Sequence, residues 1–303
     1  MKTTARAKKI WKLKGRTLAL GEQTLVCAIV NITPDSFSDG GAFFCPEAAV
    51  ARAIHALDAG AALLDLGAES TRPGSHAGGA EPLVNADAEQ ARLLPVVEGI
   101  LKERRDAVLS IDTYKASTAR AALAAGAAII NDVSGLCWDA ALGSVAAQAG
   151  AGIVLSHTRD LPDAWATLPP LAPEAMLREV RMGLQGSVKK ALDAGIAPEA
   201  IVLDPGYGFG KRNEENFALL ARQDELLQLG YPLLAGLSRK SCLGHALAPL
   251  FDGNAPTPAE RENASIAALV AAILQGAALV RVHAVHAAVE AACIADAVLN
   301  ASR

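Results

Sequence analysis

Val26-Cys-Ala-Ile-Val30 is a continuous apolar run that stops at Asn31, and seven more runs along the chain end in the same way. Leu63-Leu64 stops at Asp65, Val108 to Ile111 at Asp112, Ala127 to Ile130 at Asn131, and Ile153 to Leu155 at Ser156-His157. Ile201 to Leu203 stops at Asp204, Pro232 to Leu237 at Ser238-Arg239-Lys240, and Leu279-Val280 at Arg281-Val282-His283. Short unbroken apolar runs are the mark of parallel strands buried on both faces. Between them lie Ala- and Leu-rich helical stretches at 46–60, 86–105, 115–125, 139–149, 174–194, 213–229, 259–275 and 285–300. The alternation predicts an α/β fold, a (β/α)8 TIM barrel, whose active site forms where the strands end. The polar run-ends, scattered in sequence, then meet at one mouth.

The chain has 303 residues, 51% of them hydrophobic and 20% charged, with a formal net charge of −4. This is globular composition with enough chain for a large core. No basic field or charge block draws nucleic acid, so any anion must be held by local side chains. Five cysteines, Cys27, Cys45, Cys137, Cys242 and Cys293, show no metal spacing and read as free thiols in a reducing compartment. Met1 to Arg16 is basic and lacks the apolar run of a secretory signal. Ala264 to Val280 is the longest apolar stretch, but Gln275 and Gly276 break it, so it reads as a buried helix leading into a strand. A cytoplasmic protein with no membrane or nucleic-acid partner is expected. Residues 1–20 read as an N-terminal extension, a hairpin beneath the barrel, and residues 21–303 as one domain. Thr257-Pro-Ala-Glu260 has the pattern of a capping box with Pro at the first helical position. Ile32 to Cys45, Gly67 to Pro82 and Thr158 to Pro173 are long loops rich in Gly, Pro and Ser, a length associated with function or mobility.

A lone Asp at a strand end is more often a cap than a ligand. Asp65, Asp112, Asn131 and Asp204 form a set, however, and a barrel brings such a set together. Carboxylates in a pocket need partners, and a flat heterocycle with adjacent N–H donors is one. Arg281 interrupts an apolar strand, and His283, two residues on, is expected on the same face, a pair suited to phosphate or pyrophosphate. Arg72, Lys211, Arg239 and Lys240 add positive charge. Ser238 and Ser241 flank Arg239-Lys240 at a helix start. No nucleophile elbow is present, and the glycines of Asp204-Pro-Gly-Tyr-Gly-Phe-Gly-Lys211 fit neither phosphate-loop spacing. They read as a turn in which the backbone comes close to a neighbour.

Several stretches together resemble the bacterial dihydropteroate synthase family. They are Asn31-Ile-Thr-Pro-Asp-Ser-Phe-Ser-Asp-Gly-Gly41, Asp65-Leu-Gly-Ala-Glu-Ser-Thr-Arg-Pro-Gly74, Ser110-Ile-Asp-Thr-Tyr-Lys115, Ile130-Asn-Asp-Val-Ser-Gly135, Leu203 to Lys211, Gly236-Leu-Ser-Arg-Lys-Ser241 and Arg281-Val-His283. The resemblance covers nearly the whole chain after about residue 20. It implies a barrel enzyme of folate biosynthesis that joins 7,8-dihydropterin pyrophosphate to p-aminobenzoate. By similarity, Asp112, Asn131, Asp204, Phe209, Lys240 and Arg281 would hold the pterin. Asn31, Arg72, Arg281 and His283 would hold the pyrophosphate, with Asn31 also the Mg²⁺ contact. Phe37, Thr71, Arg72, Pro73 and Ser241 would receive p-aminobenzoate, the moiety that sulfonamides mimic. Asp39, Lys240, Arg281 and His283 would carry the catalysis, in a homodimer.

The chain departs from the family at Ser156 and Thr158, where Met is usual beside the His, and at Ala284, where an acid is usual. The expected result is a more polar pterin wall. A methyltetrahydrofolate-using methyltransferase or a non-catalytic pterin-binding protein would share the Asp and Asn set. The first would not require the Ser-Thr-Arg-Pro-Gly and Ser-Arg-Lys-Ser segments, and the second would not need the anion residues, that stand in this chain.

Overall fold

The computed structural model describes residues 3–32, 45–71, 74–79, 82 and 84–301. An antiparallel hairpin, β1 (Lys9–Leu13) and β2 (Arg16–Leu20), comes first. Eight parallel strands follow: β3 (Leu25–Asn31), β4 (Leu63–Gly67), β5 (Leu109–Asp112), β6 (Ile129–Asp132), β7 (Gly152–Ser156), β8 (Ile201–Asp204), β9 (Leu233–Ala235) and β10 (Ala277–Val282). They close into a barrel in chain order, with β10 beside β3. Outside it run α1 (Pro46–Asp58), α2 (Ala86–Glu103), α3 (Ala116–Ala124), α4 (Leu142–Ala149), α5 (Pro173–Asp193), α6 (Asn213–Ala221), α7 (Ser241–Leu247), α8 (Glu262–Leu274) and α9 (Val285–Ala301).

Strand residues alternate between two cores, because successive side chains point to opposite faces. Val26, Ala28, Leu64, Leu66, Leu109, Ile111, Ile153, Leu155, Ile201 and Leu203 face outward and pack with the helices in the larger core. Cys27, Leu63, Val108, Ile129, Val154, Val202, Leu234 and Leu279, one from each strand or its start, face inward and form a separate cluster. Trp11, Leu13 and Leu20 of the hairpin join that cluster and close the barrel from below. Trp11 is 1% exposed, and its indole N–H donates to the Ala200 carbonyl at 2.8 Å. Gly152 permits this approach, because a Cβ there would press into the Leu13 side chain. A buried Arg6 ties the segment before the hairpin to α9. Its guanidinium donates to Asp296 Oδ1 at 2.6 Å, Thr24 Oγ1 at 2.6 Å and the Ala277 carbonyl at 3.0 Å.

Several boundaries differ from the sequence expectations. Asp65 lies inside β4, not at its end, because Leu66 and Gly67 continue the pairing with β5. β9 stops at Ala235, three residues before Ser238. The 213–229 helix ends at Ala221 and continues as a 3-10 segment, Gln223–Leu229. The Thr257–Glu260 capping box opens a 3-10 turn, Pro258–Arg261, and α8 starts after it. α4 begins at Leu142, later than expected, and the short α7 was foreseen only as a helix start. All five cysteines are free of disulfides.

Trp11→Ala removes the largest side chain of the floor. It is expected to destabilise the protein by about 3–5 kcal/mol, read as a lower urea midpoint.

Candidate active site

At the C-terminal end of the barrel the inward side chains become polar. Two residues beyond the inward apolar layer stand Asp65, Ser110, Asn131, Ser156, Asp204, Gly236 and Arg281. Asp65 is the hub of one half. It is 1% exposed and accepts from Ser110 Oγ at 2.6 Å, Asn131 Nδ2 at 2.9 Å and Arg281 Nε at 2.6 Å. Arg281 Nη2 donates to Asp112 Oδ2 at 2.8 Å, so one guanidinium bridges two carboxylates. Gly67 pairs with Asp112, and a Cβ there would touch the Asp112 side chain at 3.4 Å. The Oδ1 of buried Asn131 has no hydrogen-bond partner among the described residues.

Asp204 anchors the other half. Its Oδ1 accepts from the Gly206 N–H at 2.7 Å and its Oδ2 from Ser156 Oγ at 3.3 Å. Lys240 Nζ lies 3.8 Å from the Phe209 ring centroid, a cation–π contact, and Trp165 backs that ring at 5.4 Å. The Gly206–Gly210 turn needs its glycines: Gly206 has φ +68°, and a Cβ there would overlap the His157 carbonyl oxygen. Buried Lys211 pins the turn by donating to the carbonyls of Gly206, His157 and Phe209 at 2.7, 3.1 and 3.2 Å.

Burial dominates the electrostatics. It pushes Asp112 up to about 7, with Arg281 opposing and Asp65 adding to the rise. It raises Asp204 despite the Gly206 N–H and Lys240. Burial lowers Lys240 to about 8 and Lys211 to about 7, with Asp204 opposing both. Burial also works against the charge of Arg281, but Asp65 and Asp112 outweigh it and keep the guanidinium protonated. Burial, with Lys211 and Arg159 nearby, holds His157 well below its ordinary range, so its ring is neutral.

Beyond β9, Lys240 precedes α7 and Ser241 opens it, exposed. Asn31 ends β3 half-buried, and Thr71 is half-buried beyond β4. Arg281 and His283, expected on one face, make different hydrogen bonds here. Arg281 turns to Asp65 and Asp112, whereas His283 lies past the end of β10 with its Nδ1 2.9 Å from Ser238 Oγ. Only one of the two polar departures reaches the rim. Ser156 touches Asp204, while the Thr158 hydroxyl donates to the Asp160 carbonyl in an exposed turn. Phe37, Asp39, Arg72 and Pro73 lie outside the described residues.

The sequence pattern gave Asp65 no role of its own within the Asp and Asn set, named Ser156 only as a run-end and a departure, and did not single out Ser110. The two-residue step from each inward apolar residue would have found all three. It also missed a buried ion cluster at the base of the second long loop. Lys115 Nζ contacts Glu69 at 2.5 Å and Glu89 at 3.1 Å, and Thr118 Oγ1 donates to Glu89 at 2.9 Å. No local pattern announces it, since its members come from three separate segments.

The model of a family described as "Pterin binding enzyme" matches residues 27–283. A dihydropteroate synthase from Synechocystis sp. is 40% identical over 277 residues, 91% of each chain. The crystal structure of Yersinia pestis dihydropteroate synthase with a sulfonamide drug complex superposes with a TM-score of 0.85. It is 38% identical and covers 96% of this chain and 99% of its own. Xanthomonas albilineans dihydropteroate synthase with 4-aminobenzoic acid gives 0.82 at 38% identity, covering 95% and 97%.

Asp65→Ala strands a buried guanidinium, an amide and a hydroxyl together. A loss of about 3–5 kcal/mol is expected, measured by urea denaturation, whereas Asp65→Asn, which keeps one acceptor, should lose less.

Proposed function

This chain belongs to the dihydropteroate synthase family of pterin binding enzymes, and we propose that it joins 7,8-dihydropterin pyrophosphate to p-aminobenzoate. The products are 7,8-dihydropteroate and pyrophosphate. The observation that carries the reading is the buried Asn131 Oδ1, which has no hydrogen-bond partner among the described residues, on a rim that also holds Asp112 and Asp204. A buried acceptor without a partner is costly, and a pterin edge brings N–H donors in the right number. Asp112, Asn131 and Asp204 then read the ring edge. Phe209 and Lys240 form its wall, and Arg281 covers it.

The chemistry needs no enzyme nucleophile. The bond between the pterin methylene carbon and the pyrophosphate oxygen breaks, and the positive charge left behind spreads into the electron-rich ring. The p-aminobenzoate nitrogen forms the new bond and loses a proton. His283, Arg72 and the unengaged edge of Arg281 stabilise the leaving anion as its charge builds. Asp39 stabilises the cation electrostatically. Phe37, Thr71, Arg72, Pro73 and Ser241 receive p-aminobenzoate, and sulfonamides bind there as its mimics. The first two of the three long loops, 32–45 and 67–82, would keep water from the cation.

Magnesium fits the available donors. Among the described residues no group of His, Cys, Asp and Glu forms a metal cage, and Asn31 offers one amide oxygen at a strand end. Mg²⁺ is commonly held by one or two protein oxygens together with substrate phosphates. When bound, it would neutralise charge on the pyrophosphate. The same reading includes one barrel domain over residues 21–303, with residues 1–20 as its extension. It also includes a cytoplasmic location, which the free cysteines suit. A homodimer through the outer C-terminal helices is supported by exposed Ile294 and Val298 on α9. Among the described residues no helix is long and apolar enough to cross a membrane.

Pyrophosphate release from dihydropterin pyrophosphate, assayed with and without p-aminobenzoate and Mg²⁺, tests the reaction. Release that requires both is expected, and no release from folded protein with both present overturns it. The rim also sets a pH window. Asp112 must be ionised to accept from the pterin, so kcat/KM should fall as pH drops through about 7. Lys240 must be charged, so kcat/KM should fall as pH rises through about 8. A profile that is flat from pH 6 to 9 contradicts these assignments.

A further inference from the structure

The second long loop leaves β4 over a buried ion cluster. Lys115 Nζ lies 2.5 Å from Glu69 Oε2 and 3.1 Å from Glu89 Oε2. The Lys115, Glu69 and Glu89 side chains are 10%, 7% and 1% exposed. Burial works against the Lys115 charge, but Glu89 and Glu69 outweigh it and keep the ammonium protonated. Burial also raises the Glu69 carboxyl, with Lys115 opposing. One cation thus holds two carboxylates from different parts of the fold. Glu89 belongs to α2, whereas Glu69 belongs to the loop, just past the end of β4 and two residues before Thr71.

We propose that Lys115 is a positioning residue, whose pair with Glu69 fixes where the 67–82 loop leaves the barrel and so holds Thr71 at the p-aminobenzoate site. This rests on the reaction proposed above.

The clamp is itself held in place. Lys115 lies three residues beyond Asp112, just before α3, and its backbone N–H donates to Thr113 Oγ1 at 3.2 Å. On the loop side the Ala68 carbonyl accepts from Arg92 Nη1 of α2 at 3.1 Å, so residues 68 and 69 are each gripped by a cation. The far part of the loop rests on the same segment. Trp138 packs edge-on against Tyr114, with ring centroids 5.2 Å apart, and Gly78 lies so close to Trp138 that a Cβ there would overlap the indole. Tyr114-Lys115 therefore supports the loop at its start and, through Trp138, again at Gly78. Within the cluster, carboxylates outnumber the lysine by one. Removing Glu69 leaves Lys115 paired with Glu89, and removing Glu89 leaves it paired with Glu69. Neither change strands the buried ammonium, which is the costly case. Each arm of the clamp can therefore be cut by itself.

The test compares wild type, Glu69→Ala, Glu89→Ala and Lys115→Met as full chains, by steady-state kinetics, urea denaturation and hydrogen–deuterium exchange. Glu69→Ala should raise the KM for p-aminobenzoate by about tenfold, because the loop is no longer set before the substrate arrives. The KM for dihydropterin pyrophosphate should stay near wild type, and amide exchange across residues 68–71 should quicken. Glu89→Ala removes the acceptor of the buried Thr118 hydroxyl, so it should lower the urea midpoint further than Glu69→Ala. It should nevertheless leave both KM values and the loop exchange near wild type. A merely structural cluster gives the opposite order, with the less stable variant the more impaired. Lys115→Met should repeat the KM change of Glu69→Ala, and if it does not fold the two glutamate variants decide. A KM for p-aminobenzoate unchanged in Glu69→Ala, or raised equally in Glu89→Ala, overturns the proposal, as does unchanged loop exchange in Glu69→Ala. Should wild type release no pyrophosphate, the reaction itself is refuted, while exchange in the free protein still decides whether Lys115 and Glu69 anchor the loop.

Discussion

In a parallel barrel a side chain that faces the lumen is followed, two residues on, by another that faces it. Everything at the mouth of this molecule depends on that step. Leu63 is followed by Asp65, Ile129 by Asn131, Val154 by Ser156, Val202 by Asp204 and Leu279 by Arg281. The apolar member of each pair packs on the hairpin floor and holds the strand in register. The polar member is delivered to the rim by the same backbone. A one-residue slip in any strand would send its polar group into the outer core and its apolar group into the mouth. The floor and the site therefore depend on one another, although Trp11 and Arg281 lie at opposite ends of the barrel.

The rim is charged, and its charges are divided unequally. Asp65 is enclosed by three donors and belongs to the protein. Asp112 shares Arg281 but has little else, keeps 18% of its side chain exposed, and its burial pushes it up to about 7. Two carboxylates around one guanidinium would be costly if both were wholly enclosed. Satisfying one and leaving the other at the opening resolves that cost and leaves Asp112 open to a further donor. Asp204 and Lys240 repeat the scheme on the other side. The Gly206 N–H and Ser156 hold the carboxylate, and Lys240 stands over the Phe209 ring.

Rigid support continues behind the rim. Lys211 fastens three carbonyls of the Phe209 turn and the end of β7, and Lys115 clamps Glu69 and Glu89 beneath the second long loop. Neither lysine reaches outward as a surface charge would. Reactions that stabilise a developing cation and a departing anion gain from dipoles already in place, because no reorganisation is then needed at the moment of bond breaking. A rim of fixed charges and dipoles suits transfer steered by charge.

The sequence alone determined that this is a barrel and which strand ends carry polar groups, because fully buried parallel strands leave unbroken apolar runs that a polar residue visibly ends. Asp112, Asn131 and Asp204 were legible for that reason, whereas Lys240, beyond the end of β9, stood out through its motif, and the family resemblance suggested roles for all four. What only the tertiary structure decided is which of these groups meet. Asp65 became a hub because Ser110, Asn131 and Arg281 converge on it from strands up to 216 residues apart in sequence. Arg281 and His283, two residues apart, found different partners: Arg281 meets Asp65 and Asp112 inside the barrel, and His283, past the end of β10, meets Ser238. Spacing along a strand states the face on which a side chain starts. The hydrogen bond it finally makes depends on what the closed barrel brings within 3 Å of it, and no local pattern contains that distance.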